Sequence, residues 1–259
     1  MGTDKRARQK ANRERARQER IRRQKMNKVR SRGLRFGIGI PVVVAALFLI
    51  ANLVGGNDDS SSTTDTTAPA SLTPCPPVEG ATERTESFSA PMENCIDPAK
   101  SYTATFDTTE GEIVVDLDTT NTPNTVNNFV SLARYRYYDT TTIFRTDPSI
   151  DIIQGGGLSA TDSVGYNIAD EGSGYEYSEG DIVMARTGAP NSAGAQFFFV
   201  TGPNGALLNG QGTYVTFGKV SKGLDVVKAI QALHEPTTDG LGGKPSRTVT
   251  VNSVTITEK

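Results

Sequence analysis

Tyr137-Tyr-Asp-Thr-Thr-Thr-Ile-Phe-Arg145-Thr-Asp-Pro-Ser-Ile-Asp-Ile-Ile-Gln154-Gly-Gly-Gly157 is the stretch on which the reading of this 259-residue chain turns. A guanidinium is followed by an apolar run, then by a glutamine and three glycines. That order fits a strand carrying Arg145 and Gln154 to one surface, ahead of a backbone turn that only glycine permits. A second run complements it: Met184-Ala-Arg-Thr-Gly-Ala-Pro-Asn-Ser-Ala-Gly-Ala-Gln-Phe-Phe-Phe199. Small residues and a turn lead there into Gln196 beside aromatics, a pattern suited to a shallow pocket with a polar edge.

Outward from these runs, the chain reads as short strands. Tyr102–Asp107 and Glu112–Asp118 alternate around Glu110-Gly111, which predicts a hairpin. Thr122-Pro123 supplies an N-cap and a first-turn proline for a helix through Leu132, with Val126, Phe129, Val130 and Ala133 facing the core. Strands are expected around 143–146, 150–154, 181–184, 196–200 and 214–220. A second helix over Gly223–Leu233 would bury Leu224, Val227, Ile230 and Ala232 or their neighbours, before a last strand over Thr248–Thr257. Many short antiparallel strands with two helices make a mainly β fold, and a closed barrel removes their exposed edges.

Taken together, Tyr-Tyr-Asp at 137–139, Arg145, Gln154-Gly-Gly, Met184-Ala-Arg-Thr, Gln196-Phe-Phe and Phe217-Gly-Lys-Val220 resemble the cyclophilins, the family of peptidyl-prolyl cis-trans isomerases. The order and spacing of the pieces fit over residues 101–257; no single piece is specific. The resemblance implies an eight-stranded antiparallel barrel with a helix covering each end. It implies catalysis of X-Pro isomerisation, with Pro-containing or unfolded polypeptides as partners. Arg145 would be the catalytic donor, and Gln154 and Gln196 would hold it and the substrate backbone. Phe198 matches the floor of the family's proline pocket and Leu208 its wall. Ile150 stands where a phenylalanine is usual, and Met184, Ala185, Arg186 and Thr187 match the strip that binds substrate backbone. Departures accompany the match. One extra residue separates Arg145 from Gln154, leaving open whether Ile150 or Ile152 lines the pocket. Asp147 and Asp151 put charge into a normally apolar segment. The frequent tryptophan is Leu207, and Tyr214 replaces a histidine.

The chemistry needs no nucleophile, metal or cofactor, and none is expected. Amide resonance sets a barrier of about 18–20 kcal/mol, and a catalyst must stabilise the twisted form whose nitrogen accepts a hydrogen bond. A guanidinium, always charged and with donors in fixed directions, suits that task. His234, the one histidine, follows the second predicted helix and reads as a helix-end residue without a catalytic role.

The N-terminal part is of another kind. Residues 1–36 hold 15 Lys/Arg against 3 Asp/Glu, whereas the rest holds 12 against 26. The arm, residues 1–35, has good helix formers but almost no apolar face. Residues 36–54 follow as 19 residues without a charge, long enough to span hydrocarbon. The basic flank then lies in the cytoplasm against anionic lipid, which disfavours nucleic acid as its partner, and residues 97–259 lie outside as an isomerase domain. The long charged region and the lack of a small-x-small site argue for an uncleaved anchor over a signal peptide. Residues 55–96 form a linker, Ser/Thr-rich and then bounded by Cys75 and Cys95. Two thiols beyond a membrane span read best as one disulfide, and neither has metal-ligand spacing.

Two rival functions stand beside the enzyme. The altered 143–151 segment could leave a module that only holds Pro-containing segments, which predicts binding without rate enhancement. Alternatively the basic arm is the working end, docking RNA with steep salt dependence.

Overall fold

The computed structural model describes residues 71–238 and 240–259. The expected span over 36–54 and the basic arm lie outside them. Among the described residues no helix is long and apolar enough to cross a membrane.

Among the described residues, eleven strands form one antiparallel sheet in the order β3-β11-β1-β2-β8-β6-β7-β5-β4-β10-β9. They are β1 Tyr102–Thr108, β2 Gly111–Leu117, β3 Thr141–Thr142, β4 Arg145–Asp147, β5 Ile152–Gly155 and β6 Asp181–Met184, then β7 Phe197–Val200, β8 Thr216–Lys222, β9 His234–Pro236, β10 Gly243–Pro245 and β11 Thr250–Glu258. The predicted hairpin is β1–β2, registered from Tyr102↔Leu117 to Thr108↔Gly111.

The count differs from the expected eight for two local reasons. The stretch 141–147 is broken at Ile143-Phe144, so one expected strand becomes β3 and β4. The pair β9–β10 then adds a ribbon that joins the sheet through Gly243↔Thr146. The break also curls the sheet. Thr142 pairs with Thr250 of β11 and Ile143 N–H bonds to Val249 O, whereas Phe144 N–H bonds to Gln154 O and Arg145 pairs with Gln154 of β5. One short stretch thus bonds to both ends of the strand series.

Period-two alternation then sorts side chains between two faces. In β7, Phe197 and Phe199 point into the main core with Phe106, Phe129, Tyr138 and Phe217, while Phe198 and Val200 join a second, smaller cluster on the other face. Strand β6 divides the same way, with Ile182 and Met184 inward and Val183 outward. Strand β5 sends Ile153 inward and Ile152 outward. Rings of the main core meet at 5.0–6.2 Å, as in Phe129 on Tyr138 and Phe129 on Phe197.

Helix α1 spans Pro123–Arg134 and buries Val126, Phe129, Val130 and Ala133 as the periodicity predicts. Thr122 is the N-cap residue and Pro123 lies in the first turn, as predicted, but the Thr122 side chain does not cap the helix. The Thr122 hydroxyl donates back to Asp118 O, and the first-turn N–H groups of Asn124 and Thr125 donate to the Glu171 carboxylate at 3.1 and 2.8 Å. A carboxylate at a helix N-terminus also complements the helix dipole. Helix α2, Leu224–Ala232, buries only Val227 and Ile230; Leu224 is half-buried and Ala232 exposed, contrary to expectation. His234 is likewise not a helix-end residue. It opens β9, and its Nδ1 lies 2.8 Å from Thr146 Oγ1.

Residues 71–96 run as a strap along the domain. Cys75 and Cys95 are joined by a disulfide. Thr73 N–H bonds to Pro91 O and Glu93 N–H to Thr73 O, closing the loop. The strap docks on α1 through Asn127, whose Oδ1 accepts from Cys95 N–H at 2.7 Å and whose Nδ2 donates to Glu93 O at 2.8 Å. Phe88 stands edge-on to Tyr135, and its N–H bonds to Val164 O.

Candidate active site

The outward faces of β5 and β7, the start of β4 and the segment that follows β6 line one groove of about 620 Å³. Its floor is apolar: Phe198, Ile152 and Leu208 are buried together, with Ile150, Ala185 and Tyr214 packed against them. Leu208 comes from the 3-10 helix Pro203–Leu208. Both isoleucines line the groove, which resolves the ambiguity left by the extra residue. Between them Asp151 adopts φ 49°; its carbonyl accepts from Thr201 N–H and its carboxylate from Asn204 N–H, each at 2.8 Å. Ile150 and Ile152 are thereby left on the same side.

The polar edge is a chain of donors with one direction. Arg145 Nε donates to Leu241 O at 2.5 Å, Nη1 to Gln154 Oε1 at 3.0 Å and Nη2 to Asp147 Oδ2 at 2.9 Å. Gln154 Nε2 donates to Gln196 Oε1 at 3.0 Å, and Gln196 Nε2 to the carbonyls of Asp162 and Ala160 at 2.9 and 3.2 Å. A guanidinium has five N–H groups, so two are left uncommitted by these contacts. Glycine permits the closeness of the two glutamines. Gly156 has φ 92°, and a Cβ there would lie 2.6 Å from Ala195 O and 2.8 Å from Gln196 Cα.

Curated relatives and solved structures bear on what such a groove does. The profile described as "Cyclophilin type peptidyl-prolyl cis-trans isomerase/CLD" matches residues 103–256, more than half of the chain. The chain belongs to the cyclophilin-type isomerase family. It is a peptidyl-prolyl cis-trans isomerase. The chain is 36% identical over 166 residues to peptidyl-prolyl cis-trans isomerase cyp18 of Streptomyces antibioticus, an alignment over 60% of this chain and 98% of that one. It is 34% identical to peptidyl-prolyl cis-trans isomerase B of Escherichia coli, over 60% and 99% of the two chains. A crystal structure of a Cryptosporidium parvum cyclophilin-type isomerase, obtained in the presence of the dipeptide Ala-Pro, superposes with a TM-score of 0.52 at 25% identity, covering 61% of this chain and 99% of that one.

Of the residues that the resemblance brought forward in this cyclophilin, eleven line the groove: Arg145, Gln154, Gln196, Ile150, Ile152, Ala185, Arg186, Thr187, Phe198, Leu208 and Tyr214. Two do not. Met184 is 1% exposed and sits in the main core, because its place in β6 alternates with Val183. Leu207, at the position of the frequent tryptophan, is 68% exposed and turned away from the groove that Leu208 lines.

Tyr214 closes one rim. Its ring meets Phe198 edge-on at 5.7 Å and lies 5.8 Å from the Arg186 guanidinium. Behind it, Tyr177 donates its hydroxyl to Tyr214 O and accepts from Tyr214 N–H. Burial pushes the Tyr177 hydroxyl above its ordinary pKa, so it stays neutral in this role. Arg186 is tied down by Thr213 O and Ala189 O.

Several partners escaped the sequence reading. Leu241 O and the carbonyls of residues 160 and 162 are backbone atoms, which no residue type announces. Asp162 did carry a signal, as a charge in a Gly/Ser/Thr loop. Burial pushes its carboxyl up, but hydrogen bonds from Ser159 Oγ and from the Leu158 and Ser159 N–H groups outweigh that and hold it below the usual range. A depressed carboxylate contributes stability above its unfolded pKa of about 3.9 and loses it as pH falls through the folded value. The Leu158 and Ser159 amide resonances should therefore titrate with a midpoint below about 3.9. A midpoint at or above that value would mean the carboxylate does not hold the loop beneath Gln196.

Proposed function

We propose that this isomerase acts on X-Pro bonds of polypeptides delivered to the outer side of a membrane, with Arg145 as the donor that stabilises the twisted amide. The observation carrying the proposal is Arg145 itself, a guanidinium gripped by three acceptors at the edge of an apolar floor. The pyrrolidine ring would lie on Phe198, walled by Ile150, Ile152 and Leu208. The Ala185–Thr187 strip would take the backbone. As the C–N bond twists, its nitrogen loses conjugation and its lone pair becomes an acceptor for one of the uncommitted N–H groups. A donor already fixed in place costs little reorganisation at that moment. Gln154 and Gln196 hold the donor by running their own amides back to the 160–162 carbonyls. The Ala-Pro dipeptide used with the Cryptosporidium structure supports a Pro-containing ligand in this groove.

The outer location is supported by the basic arm, the uncharged 36–54 run and Asp58-Asp59 after it. The Cys75–Cys95 disulfide supports it as well, since such bonds persist in oxidising compartments. Chains arrive there unfolded, and a catalyst that uses no ATP suits the site. In intact cells, added protease should degrade residues 71–259 while a tag at the N-terminus stays protected. Protection of both ends would place the domain on the inside and sink this reading.

A further inference from the structure

Arg145 is held by a residue whose charge the family pattern does not explain. Arg145 and Asp147 are two apart in β4, so their side chains leave the strand on the same side, while Thr146 turns the other way to His234. Arg145 Nη2 lies 2.9 Å from Asp147 Oδ2, with the two side chains 20% and 11% exposed. The carboxylate is itself locked, because its other oxygen accepts from Ser149 Oγ at 2.6 Å and from Ser149 N–H at 3.1 Å. Backbone closes over it. Gly242 has φ 98°, and a Cβ there would fall 2.7 Å from Asp147 Cγ. The neighbouring Leu241 carbonyl takes Arg145 Nε.

We propose that Asp147 is a positioning residue that fixes the plane of the Arg145 guanidinium, so that its uncommitted N–H groups meet the prolyl nitrogen. This rests on the reading of Arg145 as the donor. Gln154 holds only Nη1, and Leu241 O belongs to a glycine-flanked loop. A planar fork anchored at all three nitrogens has no rotation left, whereas release of Nη2 leaves it free to tilt about the other two contacts. An error of about an ångström in a catalytic group is enough for losses approaching a hundredfold. The carboxylate neutralises part of the cation's charge, yet it supplies the in-plane acceptor that a guanidinium fork fits.

The test uses the full chain in detergent, a proline peptide followed by NMR exchange spectroscopy, and 15N-arginine labelling to observe the Arg145 Nε–H. Asp147→Ala should lower kcat about tenfold with KM within about twofold, and should shift or broaden the Arg145 Nε–H signal. Asp147→Asn, which retains an oxygen for Nη2, should recover activity to within about threefold of the parent protein. In an Arg145→Ala background, Asp147→Ala should cost nothing more, because its effect passes through the guanidinium. A kcat within twofold of the parent, or the same loss in both backgrounds, would overturn the proposal. Should Arg145→Ala itself leave kcat intact, the donor reading falls and the Nε–H signal judges Asp147 alone: unmoved by Asp147→Ala, it overturns the positioning role; moved, it supports it. If Asp147→Ala does not fold, Asp147→Ser, whose hydroxyl is too short to reach Nη2, carries the same signal measurement.

Discussion

Replacing Arg145 by alanine should lower kcat/KM for a short Ala-Pro-Phe peptide by about a hundredfold or more, the scale seen when one pre-organised donor is removed from a developing charge. The loss should fall on kcat, because the apolar floor of Phe198, Ile152 and Leu208 still binds the proline ring. Arg145→Lys should lie between the two. An ammonium keeps the charge but not the fork that meets Leu241 O, Gln154 Oε1 and Asp147 Oδ2 together. Exchange spectroscopy on the peptide reads the rate directly. A kcat/KM within twofold of the parent would remove Arg145 from the mechanism and restore the rival of a module that binds without catalysing. Unchanged unfolding temperatures in both variants would show that the loss is chemical and not structural.

The second large effect is on stability. The Cys75–Cys95 disulfide closes a loop with a sequence separation of 20. A loop of that length constrains the unfolded chain by about 3 kcal/mol on the chain-entropy account. Cys75→Ser with Cys95→Ser should lower the unfolding free energy by about that amount, as should reduction of the parent protein. Urea unfolding measures it, and a change below about 0.5 kcal/mol would mean the strap is held by its other contacts alone. Those contacts are real ones: Asn127 bonds to both Cys95 N–H and Glu93 O, and Phe88 meets Tyr135 and Val164. Val164 and Tyr166, on which Phe88 also packs, line the groove, so the strap braces one wall of the active site from behind.

How far the sequence reached differs from residue to residue, for physical reasons. The β1–β2 hairpin and the buried face of α1 were legible because periodicity is a local property of the chain. Met184 was misplaced because its motif, Met-Ala-Arg-Thr, gives an order of residues and not the side of the sheet each one takes. Alternation, once the strand is in register, puts Met184 into the core and Ala185 into the groove. Leu207 failed for a similar reason, since a 3-10 helix turns adjacent residues in different directions and only Leu208 faces inward. Thr122 was a good cap by type, but Glu171, 46 residues from Thr125, reached the first-turn N–H groups instead.

The sequence by itself determined the family, the mainly β character, the two helices, and which residue types would meet at the groove. Hydrophobic period, glycine placement and the order of Arg145, Gln154 and Gln196 are all written along the chain. Only the tertiary structure decided how Arg145 is held. Two of its three acceptors, Gln154 and Asp147, lie near it in sequence, but the third is the carbonyl of Leu241, 96 residues away. Every non-proline residue carries the same backbone carbonyl. Nothing in a residue's name says which carbonyl the fold will bring to a guanidinium, and that choice belongs to the curl of the sheet and the β9–β10 ribbon hung upon it.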